Sequence, residues 1–275
     1  MKDIRYTTLE SVYGAMPRTP DHLDVKIEAD DTSFAAGRAS LTEYILSCYV
    51  GECVYHFHTR GAIISGGEAH PVIIHIDYDK NLPSRYTPCE EIVDMGYSVI
   101  SFAPTDILPE KKGDGGLLGI AGRKRCSIGR LIYYAYAAMR VVDMLWCDER
   151  VDRDKIYIAA HGELAEAALV ACAYDTRICG VMISGDIGDV RECNYSTSYL
   201  GESEYIRLER LAEIISPRKI FASYAKDEMG KEEIAQIMDI SNLVGRCRNG
   251  APYLGRGEWQ FMCREAKMAL SPIPC

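Results

Sequence analysis

The stretch Lys155 to Leu169, KIYIAAHGELAEAAL, constrains the fold of this chain more than any other. Ile156 to Ala160 is a brief apolar run of strand length, and His161-Gly162 interrupts it. Glu163 to Ala173 is then dominated by alanine, a strong helix former small enough to press a helix against a sheet. A buried strand that passes through a tight turn into a helix belongs in an α/β sheet, and the remaining segments agree with that reading.

From Leu23 to Arg60 the pattern is strand-like. DVKIEA, SLTEYILSCYV and ECVYHFHTR are rich in β-branched and aromatic residues and are punctuated by Gly37, Gly51 and Gly61, which predicts an antiparallel start to the sheet. His70-Pro71 introduces VIIHIDY, a continuous apolar run expected of a strand buried on both faces. Tyr86 to Met95 reads as a helix entered through Pro88 and stopped by Gly96, and YSVISFAP as the next buried strand. The glycine-rich interval Ile107 to Cys126 reads as a loop. Ile128, Leu131, Ile132, Ala135, Met139, Val142 and Leu145 recur at helical spacing in a long helix ending near Trp146. After the central unit, ICGVMIS is expected as a strand, Glu204 to Ile215 as a helix, RKIFASYA as a strand, and Lys231 to Val244 and Arg256 to Met268 as helices. Successive β-α repeats of this kind predict a doubly wound, mostly parallel sheet flanked by helices, in a single domain spanning residues 1–275.

Composition narrows the partners. A formal net charge of −9 with interspersed signs argues against nucleic acid and anionic membrane surfaces. No run approaches the roughly 18 apolar residues of a membrane span, and the N-terminal residues lack an apolar signal-peptide core. The 11 cysteines include no C-x-x-C pair and read as reduced thiols in a cytoplasmic protein rather than a disulfide framework. No phosphate-binding glycine loop of Walker or dinucleotide type is present, so no nucleotide cofactor is expected.

The central unit also has the shape of a nucleophile elbow, in which the residue at the tip of a strained strand-to-helix turn attacks and the next backbone N–H helps to bind an oxyanion. Here the tip, in Ala160-His161-Gly162-Glu163-Leu164, is Gly162, with neither hydroxyl nor thiol. From Pro71 onward the chain resembles the α/β-hydrolase fold family, in the branch of acetylxylan esterase-like and glucuronoyl esterase-like proteins. The resemblance is carried by the aromatic-rich helix GRLIYYAYAAMRVVDML, the turn RVDRDKIYI, the elbow frame with Ala168-Leu169 and Asp175-Thr176-Arg177, the strand entry IISPRKIF, and RNGAPYLGRGEW. It implies a Ser-Asp-His triad whose positions here are Gly162, Asp227 and Pro252, so that only the acid is retained. Independently of any alignment, all six histidines (His22, His56, His58, His70, His75 and His161) lie at or before the elbow, whereas this fold places its histidine after the nucleophile and acid. An aspartate without an imidazole cannot activate a hydroxyl.

His161 resembles a structural histidine beneath the elbow, with a satisfied packing role as its expected part. His75-Ile76-Asp77 ends the strand whose following loop supplies a second oxyanion N–H in this fold, so Asp77 and Tyr78 are expected to line the cleft. Glu163 and Glu166 stand where the family has arginine and lysine; they either reverse the charge of the rim or are solvated acids at a helix N-terminus. His56-x-His58 would share one strand face, but no third ligand accompanies the pair, so no metal is expected. Asp186 and Asp189 follow ICGVMIS where some relatives carry an alternative acid. Three readings result: a non-catalytic binding or regulatory homologue with a small-molecule or carbohydrate-like ligand; an ester hydrolase of non-standard mechanism using cleft carboxylates or His161; and a structural subunit burying its cleft in an oligomer. The sequence leaves the oligomeric state open.

Overall fold

The structure, a computed structural model, describes residues 4–108, 129–185, 208–226, 231–249 and 253–270. It opens with helix α1 (Ile4–Tyr13) and three long strands, β1 (His22–Asp31), β2 (Ala39–Val50) and β3 (Cys53–Ile64). There follow β4 (His70–Ile76), α2 (Cys89–Asp94), β5 (Ser98–Phe102), the short helix α3 (Pro104–Ile107), α4 (Arg130–Trp146), β6 (Val151–His161) and α5 (Leu164–Tyr174). The chain continues through β7 (Ile178–Ser184), α6 (Leu208–Ile215), β8 (Lys219–Ala225), α7 (Lys231–Met238), β9 (Leu243–Arg248) and α8 (Arg256–Leu270).

The described strands form one nine-stranded sheet in the order β1-β2-β3-β5-β4-β6-β7-β8-β9. β1, β2 and β3 are antiparallel and join the rest through an antiparallel β3–β5 pairing; β5, β4, β6, β7, β8 and β9 run parallel. The parallel strands carry near-continuous apolar runs because helices cover both of their faces. On one face the side chains of α1, α4, α5, α6 and α7 meet Ile74, Ile158, Val181 and Ile220. On the other, α2 and α8 meet Ile73, Tyr157, Met182 and Phe221. Alternate residues of one strand thus feed two cores, as the two-residue strand period requires.

The strand-turn-helix at the centre is present as expected, with β6 starting earlier, at Val151. Two expectations are corrected. The helix predicted for Lys231 to Val244 stops at Met238, and Leu243–Arg248 is the edge strand β9. Ile237, Ile240 and Leu243 continue a helical period by coincidence. The chain instead turns at Ile240, and the Asn242 amide donates to the carbonyls of Ala212 and Arg218, anchoring the start of a strand. The helix α1 carries no strong periodic signal and was not predicted; Leu9, Val12 and Tyr13 bury it against α4 and α5. The loop expected from Ile107 and the start of the Glu204 helix lie largely outside the described residues.

Candidate functional site at the elbow

The turn between β6 and α5 is built around Gly162. Its φ is +55°, the left-handed region in which a side chain is strained, and its N–H donates to the Ser184 carbonyl on β7 at 2.9 Å. Its carbonyl accepts from Ala165 N–H, which starts α5. A Cβ placed on Gly162 would stand 3.1 Å from the Tyr78 hydroxyl. The sequence pattern therefore yields the strained turn of an elbow, while a neighbouring phenol closes in on the space above it.

Around this tip the structure collects six rings. Tyr78 meets His161 edge-on at 4.8 Å between centroids, Tyr86 tilts against His161 at 4.4 Å, and Tyr253 lies 5.9 Å from Tyr86. His75 lies 6.0 Å from His161 and meets the edge of the buried Trp259 at 5.2 Å. The Arg85 guanidinium covers Tyr86 at 4.5 Å. Tyr78 and Tyr253 remain 39% and 45% exposed, so the cluster has an open aromatic face. Trp259 donates through Nε1 to the Tyr86 carbonyl at 2.7 Å, fixing the loop after β4 onto α8.

Behind the rings lies a buried polar relay. Thr87 Oγ1 is 2.6 Å from Asp77 Oδ2 and 2.7 Å from His75 Nδ1. An ionised carboxylate only accepts, so the single Thr87 proton points to Asp77 and His75 Nδ1–H must donate to Thr87. Burial pushes the Asp77 carboxyl up, but His75 and the donors Ser84, Thr87 and the Asp79 N–H together bring it below the usual carboxylate range. Burial lowers His75, offset in part by Asp77. Its Nε2 is buried with no partner among the described residues.

His161 is lowered to about 4, by burial first and then by His75 and Arg85, with Asp77 opposing. Its Nδ1 is also buried, with no partner among the described residues. The packing role expected of His161 is seen in the rings around it, while its Nδ1 is left unsatisfied by the described residues. Asp77, expected to line the cleft, is fully buried and held by Ser84 and Thr87; Tyr78, one residue on, is the side chain that reaches the surface. Glu163 is half-buried at the cap of α5. Glu166 is not a solvated acid: it is 4% exposed and accepts a short hydrogen bond from the Tyr13 hydroxyl. Burial raises its carboxyl to about 7.

Asp227 and Pro252 lie outside the described residues, as do Asp186 and Asp189. Their neighbours are placed. Ser184, Ser223 and Arg246 are register partners across β7, β8 and β9, and Asp227 follows β8. Tyr253, next to Pro252, accepts from Ser184 Oγ at 2.8 Å and from Arg248 through its carbonyl. Glu258 secures this segment by pairing with Arg246 at 2.9 Å and accepting from Gly255 N–H. On the distant antiparallel strands, His56 bonds Ser47 and His58 pairs with Glu28, so the two histidines serve separate local contacts. Tyr86, Thr87, Tyr253 and Trp259 had no sequence signal as site residues, because loop contacts some 170 positions apart bring them together.

No protein-family model matches the sequence, and no curated protein matches it. Solved structures do. A glucuronoyl esterase from Solibacter usitatus superimposes with a TM-score of 0.79 at 15% identity, covering 98% of this chain and 93% of that one. A glucuronoyl esterase from Teredinibacter turnerae gives 0.74 at 17%, covering 96% and 83%. The enzyme from Sporotrichum thermophile gives 0.64 at 14%, covering 96% and 81%. At such identities the likeness speaks for architecture, and with the parallel sheet, the flanking helices and the glycine-tipped elbow it establishes that this chain has the α/β-hydrolase fold.

Proposed function

We propose that this chain is a non-catalytic homologue of esterase-like α/β-hydrolases that binds a small, carbohydrate-like ligand over its elbow. The observation that carries the reading is at the tip: where an esterase needs a nucleophile there is a glycine, and the Tyr78 hydroxyl sits 3.1 Å from the point where a Cβ would begin. The absence of any histidine after Gly162 supports it, since nothing downstream can act as base in the order of this fold. The exposed rings of Tyr78 and Tyr253, with Tyr86 and the Arg85 guanidinium between them, offer apolar faces beside a cation, a common composition for a small-ligand site. A solved neighbour of this fold is a glucuronoyl esterase mutant in complex with methyl 4-O-methyl-β-D-glucopyranuronate, which makes that compound the first ligand to test. The cytoplasmic setting expected from the reduced cysteines belongs to the same proposal.

The test combines binding and turnover. Calorimetric titration with the methyl glucuronate is expected to show binding that Tyr253→Ala abolishes, while aryl acetates and methyl-esterified sugars are hydrolysed no faster than by heat-denatured protein. A second reading, hydrolysis by a non-standard mechanism, is favoured by the Asp77–Thr87–His75 relay and by the neutral His161 beside the elbow. Turnover comparable to ordinary esterases that is lost in His161→Ala would replace the first reading with the second.

A further inference from the structure

The feature that the elbow leaves unexplained is at the other end of the sheet. β1 is an edge strand of 10 residues; one of its sides pairs with β2, and among the described residues no strand covers the other. Its side chains alternate. Val25 and Ile27 stand opposite Leu46 and Tyr44, on the face that forms the larger core, yet they are 42% and 58% exposed. Asp24 and Lys26 stand on the opposite face, across from Ser47 and Ile45. A register shift between Ile27 and Ala29 ends the regular edge, so the stretch open to pairing is His22 to Ile27.

We propose that two copies of this chain associate through β1, antiparallel and about a two-fold axis at Val25, to make one continuous sheet. Antiparallel partners face the same side, so apolar residues must oppose apolar ones, which leaves axes at Asp24, Val25, Lys26 or Ile27, and an axis at Asp24 sets that carboxylate against itself. An axis at Lys26 sets Lys26 against itself and Asp24 against Glu28, two like-charge clashes. An axis at Ile27 draws Glu28 and Ala29, at the register shift, into the ladder, and its Lys26–Glu28 pairs are offset by Asp24 set against Asp30. An axis at Val25 stays within the regular stretch, stacks Val25 on Val25 and Leu23 on Ile27, and sets Asp24 against Lys26 twice. A lysine on an edge strand ordinarily discourages foreign strands; here the same chain supplies the carboxylate that matches it. The exposed Val25 and Ile27 side chains of both copies would then extend each other's apolar face, and opposite charges directly across a strand pair favour this register over its neighbours.

Sedimentation velocity on the full chain over a concentration series tests this. The wild type is expected at twice the chain mass. Lys26→Asp, which sets carboxylate against carboxylate, is expected to weaken the dimer more than about tenfold, and Asp24→Lys combined with Lys26→Asp to restore it with the charges exchanged. Val25→Cys is expected to give a covalent dimer on mild oxidation that the wild type, with its exposed Cys53 and Cys147, does not give. Circular dichroism checks folding, and all these positions are exposed. A monomeric wild type throughout the series, a dimer indifferent to Lys26→Asp, or a double variant that stays monomeric would each overturn the proposal.

Discussion

The hydroxyl of Tyr78 stands 3.1 Å from the position a Cβ on Gly162 would take. Gly162 is therefore constrained twice, by its left-handed backbone and by the phenol above it. Gly162→Ala is expected to cost about 1–2 kcal/mol, most of it from the positive φ. Urea denaturation of Gly162→Ala, Tyr78→Phe and the double variant separates the two contributions, because a double-mutant cycle cancels whatever Tyr78→Phe loses by itself. A non-zero coupling that makes the double variant more stable than additivity predicts is the expected outcome.

Restoring the chemistry requires more than one residue, since triad members act as a unit. Gly162→Ser alone is expected to stay unlabelled by a fluorophosphonate probe. Gly162→Ser with Pro252→His is expected to label slowly, and adding Asp227→Asn to remove most of that labelling. If the single variant labels as fast as the double, Pro252 does not occupy the histidine position.

Glu166 sets a pH dependence whose sign follows from its carboxyl being raised by burial to about 7 in the folded chain. The folded state then holds a proton that the unfolded state, with an ordinary carboxyl near 4.3, has released, so stability falls as pH rises through this interval and the loss is complete above pH 7. A shift of this size corresponds to about 4 kcal/mol at pH 8. Glu166→Gln keeps an acceptor for Tyr13 and carries no charge. It is expected to match the wild type at pH 4 and to exceed it in denaturation midpoint at pH 8; equal midpoints at both pH values would contradict the assignment.

The Asp77–Thr87–His75 relay makes Thr87 a buried hinge of hydrogen bonding. Thr87→Val leaves His75 Nδ1–H without an acceptor and takes one donor from Asp77, at an expected cost of about 2–3 kcal/mol. Thr87→Ser, which keeps the hydroxyl, is expected to recover most of it. Nitrogen NMR of the imidazoles is expected to show His161 neutral at pH 6, where an exposed histidine is largely protonated.

Much of the architecture was readable from the chain. Continuous apolar runs such as VIIHIDY and ICGVMIS have no polar face to offer solvent, so they had to be covered on both sides, and alternation with helices then requires a parallel sheet. The alanine-rich segment after Gly162 identified the helix beside the elbow because only small side chains allow that approach. The sequence also determined by itself that Gly162 has no nucleophile and that no histidine follows it. Its limit appeared at β9, where a coincidental helical period hid a turn, and at Glu166, which reads equally as a charge on the cleft rim or a solvated helix-end acid but is covered by Tyr13. What only the tertiary structure decided is the composition of the site. Tyr78, Tyr86, Tyr253, Trp259 and Thr87 carry no motif; they become neighbours because parallel strands bring the loops after β4 and β9 and the start of α8 to the same end of the sheet, and contacts that distant in sequence leave no local pattern to read.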